Sequence, residues 1–184
     1  MLGGVSLSGT AQAPLAPIPD STTIRVEGEP VQIRLQRYAP RGVPLQMGVP
    51  ENSFITKVEE SPNFKRVRLS AGREGRITND EARINIMWSK TPITADEMQT
   101  WLFQSSQGRG ITLQSVRNSR SPYAWVEREW RFERNPNSRD RIVGRAIVGQ
   151  LNGRHFVVVH QVPVSMAEGY GPRIDAVLKT LQSR

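Results

Sequence analysis

Residues 141–162 read RIVGRAIVGQ-LNGR-HFVVVHQV, two apolar runs joined by Leu151-Asn152-Gly153-Arg154. Asn-Gly between such runs is the strongest short-range hairpin signal, because a two-residue type I′ turn needs positive φ at both central residues. The second run, Phe156 to Val159, is apolar on both faces. A strand of that kind sits in the middle of a sheet with layers above and below it. After the hairpin comes an amphipathic segment, Met166 to Gln182, with Tyr170, Ile174, Val177, Leu178 and Leu181 on one stripe. Ser165-Met166-Ala167-Glu168 reads as its capping box. Pro172 interrupts the pattern, so the spacing predicts a regular helix starting there, with 165–171 as an irregular turn.

Working towards the N-terminus, a second helix is signalled by Thr94-Ala95-Asp96-Glu97, another capping box. Met98, Trp101, Leu102 and Ser105 follow at helical spacing, and Gly108-Arg109-Gly110 ends it. Elsewhere the period is two. Val31, Ile33 and Leu35 alternate with Gln32, Arg34 and Gln36, and Val67, Leu69 and Ala71 alternate with Arg66, Arg68 and Ser70. Ile84, Ile86 and Trp88 share one face, and Tyr123 to Arg134 reads as a further strand. The expected fold is α+β: one antiparallel sheet of about six to eight strands between helices, an α-β-α sandwich, with helix 166–182 on one face and helix 94–106 covering a face.

Residues 1–21 differ from the rest. Met1 to Ala13 carries no charge, Ala11 and Ala13 make an A-x-A pattern, and Pro14 to Pro19 is Pro-rich. This suits the remnant of a signal peptide, although no Lys or Arg precedes the apolar stretch and Pro14 would follow the cut; a flexible Pro-rich tail is the alternative. Residues 22–184 are expected to form one domain. No run approaches the roughly 18 apolar residues of a membrane span.

The chain carries a net charge of +8, from 21 Arg and 4 Lys against 17 acids, and has no Cys. Disulfide frameworks, thiolate metal sites and thiol nucleophiles are therefore excluded. An anionic partner is suggested, though Arg-rich composition on a solvated surface would give the same charge. Half of the net charge lies in 117–145, where Arg117, Arg120, Arg128, Arg131, Arg134, Arg139, Arg141 and Arg145 meet only Glu127, Glu129, Glu133 and Asp140. We expect the partner surface there, carried by Arg117, Arg120, Arg139, Arg141 and Arg145, helped by Arg154, with Trp125 as the exposed aromatic. Its occupant would be an anionic protein or membrane-associated complex; nucleic acid is the less favoured partner, because Trp130 and Phe132 share the parity of the core face. The competing expectation is that these arginines pair with Glu127, Glu129 and Glu133 across the ladder and project little field.

Catalytic patterns are sparse. His155 and His160 differ by five along a strand and so point to opposite faces, which prevents a shared metal site. No nucleophile elbow, zinc-helix or phosphate-loop motif is present. Glu127 and Glu129 stand at i, i+2, about 7 Å apart along a strand, a spacing near that of glycosidase carboxylates; ion pairing is the plainer role. A loop-built hydrolase site near His155 or His160 is the enzymatic alternative to a non-enzymatic binding role, and no cofactor is expected.

Tyr123-Ala124-Trp125, the hairpin through Asn152-Gly153-Arg154-His155-Phe156, Val162-Pro163, and Glu168-Gly169-Tyr170-Gly171-Pro172-Arg173 together resemble PsbP-like proteins, the extrinsic photosystem II subunit and its exported bacterial relatives. The resemblance covers about residues 43–182, most clearly 141–182. It implies an antiparallel sheet between helices and a non-enzymatic, export-associated accessory or assembly role in the periplasm or thylakoid lumen. It carries no catalytic or ligand residue onto this chain.

Overall fold

The computed structural model describes residues 16–71, 81–116, 121–135 and 140–184. Eleven strands and two helices occur in them: β1 (Ser21–Val26), β2 (Glu29–Tyr38), β3 (Leu45–Pro50), β4 (Ile55–Glu60), β5 (Phe64–Ser70), β6 (Arg83–Ser89), α1 (Ala95–Gln107), β7 (Gln114–Ser115), β8 (Val126–Arg134), β9 (Ile142–Leu151), β10 (Arg154–Pro163), α2 (Ala167–Thr180) and β11 (Gln182–Ser183). The main sheet has seven strands in the order β4-β5-β6-β10-β9-β8-β7. Every pairing in it is antiparallel.

The Asn-Gly hairpin forms as the sequence predicts. Asn152 and Gly153 have φ of 49° and 72°, and β9 and β10 pair from Arg154–Leu151 to Pro163–Ile142. β10 is central, flanked by β6 and β9. On one face, Phe156, Val158 and Val162 join a core with Ile174, Val177 and Leu178 of α2 and Leu45, Met47 and Val49 of β3. On the other, Val157 packs with Met98 and Leu102 of α1 and with Trp130. Both faces are covered, and the fold is α+β.

The first strands depart from the expected single sheet. β1, β2, β3 and β11 form a separate four-stranded sheet. β3 is buried at every position, because it lies beside α2 in the layer over the main sheet. Thr180 fixes that neighbour: its Oγ1 accepts from the Gly48 N–H at 2.9 Å. A period of two identifies a strand, and pairing partners decide which sheet it joins.

The two helices start differently. At α1 the capping box is complete: Thr94 Oγ1 accepts from Glu97 N–H at 3.2 Å, and Glu97 Oε2 accepts from Thr94 N–H at 2.7 Å. At α2 it is absent. The Ser165 hydroxyl and N–H both donate to the Asp140 carboxylate instead, and Met166 caps without a side-chain bond. The helix begins at Ala167, after a 3₁₀ turn over Val164–Met166, and runs through Pro172. Proline there removes one N–H near the helix start, a loss opposed by burial of Ile174, Ala176, Val177 and Leu178. Among the described residues, no helix is long and apolar enough to cross a membrane.

Candidate functional site

Cross-strand register, more than any motif, assembles polar chemistry in this protein. Residues facing α2 on β9 are Val143, Arg145 and Ile147; opposite them on β10 stand Val162, His160 and Val158, and on β8 Glu133, Arg131 and Glu129. The Ile147 row is roofed by α2 and β3. Beyond it the same face turns polar: Arg131, Arg145 and His160 form one row across three adjacent strands. An open cleft of about 850 Å³ lies over this row, lined by Gln114, Arg131, Glu133, Arg145, His160 and Val162 among others.

The carboxylates here are already engaged. Arg145 Nη1 donates to Glu129 Oε1 at 2.6 Å, and Arg141 Nη1 to Glu133 Oε1 at 3.3 Å. Arg131 has a neutral neighbour, its Nε donating to Gln114 Oε1 at 3.3 Å. Burial and the Arg145 guanidinium lower the His160 pKa to about 4, against a weaker opposite pull from Asp175. His160 is therefore neutral at pH 7. Asp175, on α2, accepts from the Tyr123 hydroxyl at 2.7 Å and pairs with Lys179 at 2.6 Å. Burial, then the bond to Asp175, pushes the Tyr123 phenol far above its usual range, so it stays protonated.

His155 stands on the opposite face, as its parity predicts. Its Nδ1 lies 3.0 Å from the Ile93 carbonyl, which can only accept, so Nδ1 carries the proton. Nε2 lies 3.1 Å from Gln150 Nε2 and 3.4 Å from Glu127 Oε2. This ring ties the start of α1 to the hairpin. No group of three or more metal-ligating side chains occurs among the described residues.

Trp125 is not the exposed aromatic the strand parity suggests. It is 8% exposed, belongs to the main core, and donates from Nε1 to the Leu178 carbonyl at 3.2 Å. The side it shares with Glu129 is not solvent at this end of β8: α2 roofs it, and the indole packs beneath that helix. Arg154 sits at the hairpin end of β10, remote from Arg141 at the other end of the ladder, and so does not join the Arg145 surface. Arg141 and Arg145 make the cross-strand ion pairs of the competing expectation, with Glu133 and Glu129. Arg117, Arg120 and Arg139 lie outside the described residues. Arg131, Gln114 and the Tyr123–Asp175 bond were not singled out from the sequence. One signal for the row was available: Arg145 and His160 are equidistant from the Asn152-Gly153 turn, so a two-residue loop sets them opposite each other.

No protein-family model matches the chain, and no curated protein matches it. A 1.50 Å crystal structure from Bacteroides thetaiotaomicron VPI-5482 is similar in fold, with a TM-score of 0.51 at 12% identity. The match covers 81% of this chain and 48% of that one, so this chain spans about half the length of its neighbour. At that identity the likeness concerns the fold alone.

Proposed function

We infer that this protein acts by binding, docking an anionic protein partner through the cleft over β8, β9 and β10. The observation that carries the reading is the pairing of Arg131 directly opposite Arg145 on adjacent strands. Like charges so placed repel, and a negatively charged occupant relieves the repulsion. An enzymatic reading centred on His160 is weaker, because a general base works best with a pKa near the operating pH and this ring is held at about 4. Neither Glu129 nor Glu133 hydrogen-bonds to His160 in the described residues; each is held by an arginine.

The likeness to PsbP-like proteins and the Ala11/Ala13 pattern add export and an accessory or assembly role to this proposal. The docking reading is tested by exchanging Arg131 and Arg141 for Glu, with the fold checked by circular dichroism, and capturing partners from native-host extracts, membranes included. Binding should weaken at least tenfold and lose its salt dependence. Unchanged, salt-dependent capture by the folded double variant would refute the cleft as the docking surface.

A further inference from the structure

We propose that a small pocket at the Asn152-Gly153 end of the β9–β10 hairpin binds an apolar carboxylate: one ring or branched alkyl group bearing a single carboxyl. The site is separate from the docking cleft, which lies at the other end of the same two strands. Parity and register build it. Arg154 and Phe156 stand two apart on β10 and share a face, and Arg154 pairs directly opposite Leu151 on β9. Phe156 belongs to the core under α2, so Arg154 and Leu151 lie at the edge of that same face. From the other side, β11 pairs with β3 through Ser183 and Leu45, and Asn152 Nδ2 donates to Ser183 Oγ at 2.7 Å, tying the turn to β11. A pocket of about 130 Å³ remains between hairpin and strands, lined by Leu45, Trp88, Leu151 and Phe156 and by Arg154 and Arg184. Leu45, Trp88 and Phe156 are buried and the two arginines exposed, so apolar groups form the floor and guanidinium groups the rim.

Size and charge set the ligand. An apolar cavity of about 150 Å³ holds one benzene. This pocket therefore takes a ring or a leucine-sized chain and has no room for a fatty-acid tail. No acidic side chain lines it. Arg154 makes no hydrogen bond or ion pair among the described residues. Arg184 makes only long bonds, its Nη1 lying 3.5 Å from the carbonyls of Ala39 and Pro40. Even with the carboxylate of residue 184 set against its own guanidinium, Arg154 leaves the rim one positive charge. Arg154 thus contributes no ion pair to the fold, while its fork matches the two oxygens of a carboxylate. A monoanion balances that single charge, and the apolar floor receives the rest of the molecule.

The test is titration of the intact chain at constant ionic strength with three probes: isocaproate, its uncharged amide isocaproamide, and the tripeptide Gly-Gly-Leu with a free carboxyl. Methyl resonances of Leu45 and Leu151 and the indole resonances of Trp88 report the pocket, and the methyls of Leu113, under α1 on the opposite face, serve as control. Isocaproate should shift the pocket signals and leave Leu113 unmoved, and the amide should bind at least tenfold more weakly. Arg154→Gln, with the fold checked by circular dichroism, should weaken isocaproate at least tenfold, with partial recovery in Arg154→Lys. Arg25→Gln, which removes an equal charge outside the pocket, should change nothing. Tighter binding of Gly-Gly-Leu than of isocaproate would place the carboxyl at the end of a peptide; equal or weaker binding would make the free acid the ligand, and either outcome supports the site. Equal affinity for acid and amide, or equal loss in Arg25→Gln, would overturn the assignment of the carboxylate to Arg154. Silence of the Leu45, Leu151 and Trp88 signals with all three probes would overturn the pocket itself, and the docking cleft would stand or fall on its own variants.

Discussion

Trp125 packs against the backbone of Gly149: a Cβ at that glycine would stand 2.6 Å from Cε3 of the indole and 2.8 Å from the Trp125 carbonyl oxygen. That carbonyl accepts from Gln150 N–H at 2.9 Å, and the indole donates to Leu178 of α2. Glycine at 149 thus lets the chain before β8 fold its tryptophan under α2. Gly149→Ala is expected to cost about 1–3 kcal/mol, the usual range for overpacking a tight site. Urea denaturation followed by tryptophan fluorescence measures it; a change under 0.5 kcal/mol would show that the indole can retreat freely.

Thr94→Ala removes the side chain that caps α1 and leaves Glu97 without its reciprocal hydroxyl partner. The expected loss is about 1 kcal/mol. For a chain of this size that corresponds to a fall of about 2–4 °C in Tm. Thr94→Ser should retain most of the stability in the same melting experiment.

Tyr123 stacks on Trp125 with ring centroids 5.3 Å apart and donates to Asp175. Tyr123→Phe keeps the stack and deletes the hydroxyl. Because Asp175 retains Lys179, the expected cost is modest, about 1–2 kcal/mol. Trp125→Phe in the same background should add a further loss, and a double-mutant cycle reads the coupling between the two rings.

His160 makes stability depend on pH in a definite direction. Its pKa is about 4 in the folded protein against 6.5 for the free side chain, so between these values the unfolded chain binds a proton that the folded one refuses. Stability therefore falls as pH drops from 6.5 towards 4, and this contribution is constant below 4 and above 6.5. The difference in urea midpoint between wild type and His160→Gln, measured from pH 7 to 4, isolates it from the carboxylates. A difference independent of pH would mean that the ring protonates normally in the folded state.

How far the sequence reaches depends on whether the deciding contact is local. The Asn152-Gly153 turn and the Thr94–Glu97 capping box are each made within four residues, and both are found where the sequence puts them. The centrality of β10 is legible because four consecutive apolar residues need two covered faces. Trp125 is misjudged as exposed because what covers its side of the strand, Leu178 of α2 and the Gly149 backbone, is brought there by long-range packing. Ser165 has the right neighbours for a cap, but Asp140, 25 residues earlier, takes its hydroxyl. The membership of β1–β3 in a second sheet is likewise invisible to periodicity. Of the candidate site, the Arg145–His160 half follows from the hairpin. Arg131 enters through the β8–β9 pairing, whose connection is too long for its register to be read off a turn.

The central place of β10 has a consequence in time. The ribosome makes β6 with its apolar Ile84, Ile86 and Trp88, yet the strand that pairs with its open edge starts only at Arg154. At about 5–20 residues per second, that edge waits several seconds for its partner. Until then β6 has no partner on that side, and an unpaired strand border is able to recruit a foreign strand. The nascent chain is most vulnerable to misassembly in this interval, and the late arrival of Phe156–Val159 joins the two halves.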